Sequence, residues 1–295
     1  MRILILGRDG QLARSLAERG RGGPHRLIFA ARPELDLADD DSIRRTVDAH
    51  SPEVVINAAA YTAVDRAEDE PELARRINGE APGVVATAAR AAGARLIHVS
   101  TDYVFNGQGD RPLDERTPTG PLGVYGRTKL AGEEAVRAAT DAHAIVRTAW
   151  VYSPWGTNFV RTMLRLAGER PSVRVVDDQR GSPTSALDLA DGLLALVGTW
   201  ARPDAAPAGG TYHLAGSGEA SWADLAVAVM EESAAAGGPA AAVERIGTAD
   251  YPTRAVRPRW SVLDSGRFAA QTGFRMPHWR QSLAGVVRRV GEAPA

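Results

Sequence analysis

Arg2-Ile3-Leu4-Ile5-Leu6-Gly7-Arg8-Asp9-Gly10-Gln11-Leu12-Ala13 opens the chain and carries most of the information about its fold. A short apolar run ending in glycine reads as a buried parallel strand. Leu12, Leu16 and Ala17 then recur at helical spacing. In a strand, glycine turn and helix of this kind, a pyrophosphate lies against the helix N-terminus. Gly7 permits the tight turn, Gly10 lets the ligand reach the backbone, and Ala13 is small enough for close packing of helix on strand.

Working outward, a second strand is expected over Arg26 to Ala30, a helix over Asp41 to His50, and a third strand over Val54 to Ile56. Dinucleotide folds that hold an unmodified adenosine ribose place an acid after the second strand. Here the chain reads Ala30-Ala31-Arg32. Arg32, with Arg8 nearby, suits a 2′-phosphate, so NADPH is the preferred cofactor and NADH the second candidate. Asp36-Leu37 reads as the turn flanking the adenine. Small residues follow the third strand, Asn57-Ala58-Ala59-Ala60-Tyr61-Thr62, and leave room for a ligand at the sheet's carboxyl edge. The strand Arg95 to Val99 delivers Ser100 and Thr101 to that edge. His98, inside the strand, reads as structural. A fifth strand, Ala144 to Arg147, leads to Thr148-Ala149-Trp150-Val151-Tyr152.

This alternation predicts an α/β fold: a doubly wound parallel sheet (Rossmann-type) with a smaller C-terminal substrate-binding lobe. Residues 1–150, plus about 184–215, are assigned to the dinucleotide-binding domain, and about 151–183 and 216–295 to the lobe. Arg202 to Gly210 reads as a surface linker, and Ala234 to Ala242 as a low-complexity turn.

At 295 residues the chain is long enough for such a domain and lobe. Its 35 Lys+Arg balance 36 Asp+Glu, and no basic tract stands out, which argues against nucleic acid as partner. The absence of cysteine excludes disulfides, thiolate metal sites and a cysteine nucleophile. The first apolar run is too short for a signal peptide, and no apolar stretch approaches the ~18 residues of a membrane span. A cytoplasmic enzyme or binding protein with no membrane partner is expected; the oligomeric state is left open.

Tyr125-Gly126-Arg127-Thr128-Lys129 places a phenol and an ammonium one helical turn apart on one face. A neighbouring lysine favours the phenolate and lowers the tyrosine pKa, which suits proton exchange with a reacting oxygen. The Thr101 hydroxyl, at a strand end, completes a catalytic set of Thr101, Tyr125 and Lys129. Tyr-x-x-x-Lys alone recurs by chance in many chains. Its support here comes from the glycine turn and from Thr101.

Taken together, these motifs resemble the extended short-chain dehydrogenases/reductases, and among them the dTDP-4-dehydrorhamnose reductase family. The resemblance rests on Gly7-x-x-Gly10-Gln11-Leu12, Asn57 to Asp65, Ser100 to Phe105, Val124 to Glu133, Arg147 to Tyr152, Asn158-Phe159 and Tyr251-Pro252-Thr253. It implies reduction of the 4-keto group of a dTDP-4-dehydro-6-deoxy sugar, with Tyr125 as proton donor and Lys129 also holding the nicotinamide ribose. It further implies cofactor contacts from Gly7, Gly10, Gln11, Leu12, Ala58, Ala60, Tyr61 and Thr62, besides Tyr125 and Lys129. Substrate contacts are implied for Thr101, Asp102, Tyr103, Trp150 and Asn158. Some members dimerise through a metal bound by clustered acids. Ser15 and Leu187 stand where two of those acids are expected, so neither that dimer nor a metal is expected. A ketoreductase of a related antibiotic sugar and a non-enzymatic regulatory subunit are the alternatives. Dehydratases of the group carry Asp-Glu after the threonine, whereas here Tyr103 follows Asp102.

Overall fold

The computed structural model describes residues 1–202 and 209–292. Five strands, β1 (Arg2–Leu6), β2 (Arg26–Ala30), β3 (Val54–Asn57), β4 (Arg95–Thr101) and β5 (His143–Thr148), join the Gly210–His213 strand in one sheet. The order is Gly210–His213, β5, β4, β3, β1, β2, and every pairing is parallel. The chain leaves β1 toward β2 and then returns to the other side of β1 with β3. The carboxyl ends of β1 and β3 therefore flank the switch point where such sheets bind ligands.

Strand residues that face helices on both sides must be apolar, and Ile3, Leu4, Ile5, Leu6, Val54, Val55 and Ile56 are all fully buried. One face of the sheet packs against Leu12 and Leu16 of the Gln11–Arg19 helix and Leu189, Leu193 and Leu196 of the Ala186–Trp200 helix. The other face packs against Ile43, Val47, Val85 and Val136.

A second core lies in the lobe. There the helices Phe159–Glu169, Trp222–Ala235 and Trp279–Glu292 enclose a small parallel pair, Ser172–Val176 with Ala242–Ile246. The Ala242–Ile246 strand was not legible in the sequence. Most of it is at least partly exposed, so it lacks the apolar alternation that marks a half-buried strand. The expected turn over Ala234 to Ala242 is also shortened, because helix continues through Ala235. The packing crosses the expected lobe boundary in both directions, since Leu187, from the stretch assigned to the dinucleotide domain, lies in the lobe's core. Phe268, on the Gly266–Thr272 helix, and Met276 lie in the sheet's core, although 216–295 was assigned to the lobe. The linker expected over Arg202 to Gly210 falls mostly outside the described residues. Among the described residues, no helix is long and apolar enough to cross a membrane, and no cluster of three or more His, Asp or Glu is arranged to hold a metal.

Candidate active site

A cavity of about 780 Å³ opens at the carboxyl edge of the sheet, between the glycine turn and the lobe. Gly7 turns there with φ +119°, a conformation costly for any side chain, and donates its N–H to the Ala30 carbonyl at 2.8 Å. Gly10 is the N-cap of the Gln11–Arg19 helix. No side chain caps that helix, and its first turn carries no acid. The free N–H groups therefore border the cavity with their positive end, which fits the pyrophosphate of a dinucleotide. A Cβ on Gly10 would meet nothing within 4 Å, as expected of a backbone left open to a ligand. Ala58, Ala60 and Thr62 form the facing wall.

Other expected cofactor residues lie away from this cavity. Tyr61 is turned aside: Asn78 bonds both its amide and its carbonyl at 2.9 Å, and its hydroxyl donates to Glu70 at 2.5 Å. Asn78 sits in a π-helical turn, Arg75–Glu80, and its clamp on Tyr61 was not foreseen. Arg32 is exposed just beyond β2. The Asp36 carboxylate accepts the Ala38 N–H at 2.9 Å, and Leu37 is buried in the core.

Thr101, Tyr125 and Lys129 all border the cavity. The Val124–Ala139 helix reaches the strand edge because residue 126 is glycine: a Cβ there would lie 2.2 Å from the Tyr103 carbonyl oxygen. Burial pushes the Tyr125 phenol up to about 12; a hydrogen bond with Thr101 opposes this, and the Asp102 charge adds to it. The expectation that Lys129 sets a lowered tyrosine pKa is therefore not met. Lys129, only 2% exposed, donates its Nζ to the Val99 carbonyl at 2.8 Å, and burial brings its own pKa down to about 8 against the pull of Glu133. The phenol is fully protonated at neutral pH, the form an acid needs.

Asp102 accepts the Thr101 hydroxyl at 3.0 Å, while its second carboxylate oxygen is buried without a partner. Burial raises its pKa from 3.8 to about 6, against the hydrogen bond from Thr101. Between those two values the folded form binds more protons than the unfolded chain, so stability falls as pH rises through that window. At neutral pH the ionised carboxylate costs about 3 kcal/mol. Asp102→Asn is expected to stabilise the fold by up to about that amount at neutral pH, with the gain vanishing below the unfolded pKa. Urea denaturation at about pH 4 and pH 7.5 reads it; a destabilised variant at the higher pH would refute it.

Tyr103 meets Tyr125 edge-to-face, ring centroids 5.4 Å apart. Trp150 stacks flat on Trp222 at 3.6 Å, and Phe159 leans on Trp222 at 4.7 Å. Gly181 makes space for Trp150, since a Cβ there would lie 2.4 Å from the indole. Trp222, Phe159 and Leu225 bring the lobe to the cavity, and none of them was a sequence-level candidate. The available signal was an aromatic residue directly after a capping serine: Ser221 and Asp224 form a capping box that fixes where Trp222 enters. Asn158, expected to meet substrate, does not border the cavity. Its side chain caps the Phe159–Glu169 helix through Arg161 N–H and donates to Gln11 at 3.0 Å.

A doubly wound parallel sheet with an uncapped helix N-terminus and a Thr/Tyr/Lys set at its carboxyl edge defines an NAD(P)-linked oxidoreductase. A family profile described as RmlD substrate binding domain matches residues 1–291. A dTDP-4-dehydrorhamnose reductase of Streptomyces griseus is 45% identical, the match spanning 96% of this chain and 91% of that one. A crystal structure of such a reductase from Clostridium acetobutylicum superposes with a TM-score of 0.91 at 36% identity, covering 97% of this chain and 98% of that one. One from Bacillus anthracis, in complex with NADP, superposes with a TM-score of 0.90 at 33% identity over the same shares. The chain belongs to the dTDP-4-dehydrorhamnose reductase family.

Proposed function

We propose that this protein reduces the 4-keto group of dTDP-4-dehydro-L-rhamnose to dTDP-L-rhamnose with NADPH, Tyr125 giving the proton. The observation that carries this reading is the convergence on one cavity of Thr101, Tyr125 and Lys129 with the helix end after Gly10 and the Trp150–Trp222 stack. The names of the Streptomyces griseus and Clostridium acetobutylicum relatives support the substrate, and the NADP in the Bacillus anthracis structure supports the cofactor. When bound, the nicotinamide supplies a hydride to the C4 carbonyl carbon. Gly10 and Gln11 N–H groups hold the pyrophosphate, Arg32 with Arg8 meets the 2′-phosphate, and Lys129 holds the nicotinamide ribose. Thr101 bonds the carbonyl oxygen, which stays on C4, takes the Tyr125 proton and becomes the hydroxyl of the product. Asp102, Tyr103 and Trp150 contact the sugar nucleotide.

Dehydration is disfavoured, because the residue after Asp102 is a half-buried tyrosine packed on Tyr125 and not a second carboxylate. Reduction of a related dTDP-4-keto sugar uses the same groups. Incubating the protein with NADPH and dTDP-4-dehydro-L-rhamnose should consume one equivalent of NADPH per dTDP-L-rhamnose identified by NMR. Product formed without net NADPH consumption would overturn the reading. A stable protein partner in the absence of any NADPH oxidation would favour the regulatory alternative.

A further inference from the structure

Gln11 is the first residue of the helix behind the glycine turn, yet its side chain belongs to the other half of the molecule. Its Oε1 accepts the Asn158 amide at 3.0 Å and lies 2.9 Å from the Ser153 hydroxyl, whose one proton is shared with the Trp155 carbonyl at 2.8 Å, and its Nε2 lies 3.5 Å from the Val151 carbonyl oxygen. Ser153 is fully buried and Asn158 nearly so. The segment from Ser153 to Asn158 is itself tightly bonded. Asn158 also donates to the Ser153 carbonyl at 2.9 Å and the Trp155 carbonyl at 3.1 Å, and Arg161 donates to the Pro154 carbonyl at 2.6 Å. Trp155 lies between the Arg14 and Arg289 guanidiniums, 5.2 and 5.0 Å from its ring. The segment leads directly into Phe159, the first residue of the next helix. Phe159 leans on Trp222, which stacks on Trp150.

We infer that Gln11, Ser153 and Asn158 form a latch coupling cofactor occupancy to sugar-nucleotide binding, with Ser153 and Asn158 as positioning residues. The inference rests on the cofactor and substrate assignments proposed above. A pyrophosphate seated on the Gly10 and Gln11 N–H groups fixes the backbone from which the Gln11 side chain extends. The two bonds then fix the segment from Ser153 to Asn158, and with it the aromatic wall formed by Phe159, Trp222 and Trp150. Each ligand thereby meets a site already ordered by the other, and the coupling is reciprocal.

The test is calorimetric titration of the whole protein with dTDP, with and without saturating NADP⁺. In the native protein NADP⁺ should tighten dTDP binding by about five- to tenfold, the lower part of the usual range of such couplings. Asn158→Ser retains a helix-capping oxygen but is too short to bond Gln11, and should reduce that ratio to below about twofold. Gln11→Ala, which leaves the cap untouched, should reduce it equally. In the Gln11→Ala background, Asn158→Ser should change the ratio no further. A merely structural Asn158 would weaken both ligands together and leave the ratio intact, which overturns the latch. Native protein that binds both ligands with no coupling also overturns the latch and leaves the reductase reading standing. Native protein that binds neither ligand overturns both.

Discussion

Tyr125→Phe is expected to lower kcat for NADPH-driven ketone reduction by roughly 10²- to 10⁴-fold, the usual contribution of a positioned general acid. The variant removes one hydroxyl and keeps the ring. The edge-to-face contact with Tyr103 and the packing of the Val124–Ala139 helix therefore persist. NADPH affinity, read by cofactor fluorescence, should change little, because the glycine turn and Lys129 are untouched. The hydroxyl's environment explains why it serves as a donor. Burial holds its pKa up to about 12, so the proton is present at every physiological pH, and Thr101 partly offsets that rise. A ketone becoming an alkoxide is a strong base and takes the proton readily. Undiminished kcat in the variant would remove Tyr125 from the mechanism.

The parts of this arrangement legible in the sequence depend on backbone chemistry. Gly7 announces itself because a turn with positive φ needs glycine, Gly10 because a bare backbone at a helix start lets a pyrophosphate approach, and strands buried on both faces read as apolar runs. Thr101 and Tyr125 were legible because strand ends and helical spacing fix where side chains emerge. What long-range packing decides was not legible. Lys129 spends its charge on the Val99 carbonyl, Asn158 faces Gln11 and not the cavity, and Trp222 reaches Trp150 from a helix that begins some 70 residues later in the chain. None of these follows from local spacing. The Ala242–Ile246 strand was missed for a related reason: only its partner, Ser172–Val176, makes it a strand.

Glu133→Ala is expected to cost about 3–5 kcal/mol of stability, the usual penalty for removing one partner of a buried ion pair. Glu133 is 0% exposed and lies one helical turn beyond Lys129. Its carboxylate accepts Arg147 Nε at 2.8 Å and Nη2 at 2.7 Å, Ser100 Oγ at 2.6 Å and Arg137 Nη2 at 2.7 Å. Burial alone would raise its pKa, but the bonds from Arg147 and Ser100 and the arginine charges win, and the group stays below its ordinary 4.5. Alanine would leave the Arg147 guanidinium, 3% exposed and held over Phe105, as an uncompensated buried charge. Because the folded pKa is depressed, this stabilisation is fully present above the unfolded value and is lost as pH falls through the folded one. The gap between native and variant in urea denaturation should therefore be widest near neutral pH and shrink in acid. Glu133→Leu combined with Arg147→Met removes both charges and should cost less than the sum of the single changes, with a coupling of about 0.5–3 kcal/mol. Additive costs, or a gap independent of pH, would mean that the pair contributes nothing. Catalysis should report the same loss separately, because Glu133 also supports the charged form of Lys129. At a temperature where Glu133→Ala is still folded, its activity should decline with rising pH at a lower pH than in the native protein.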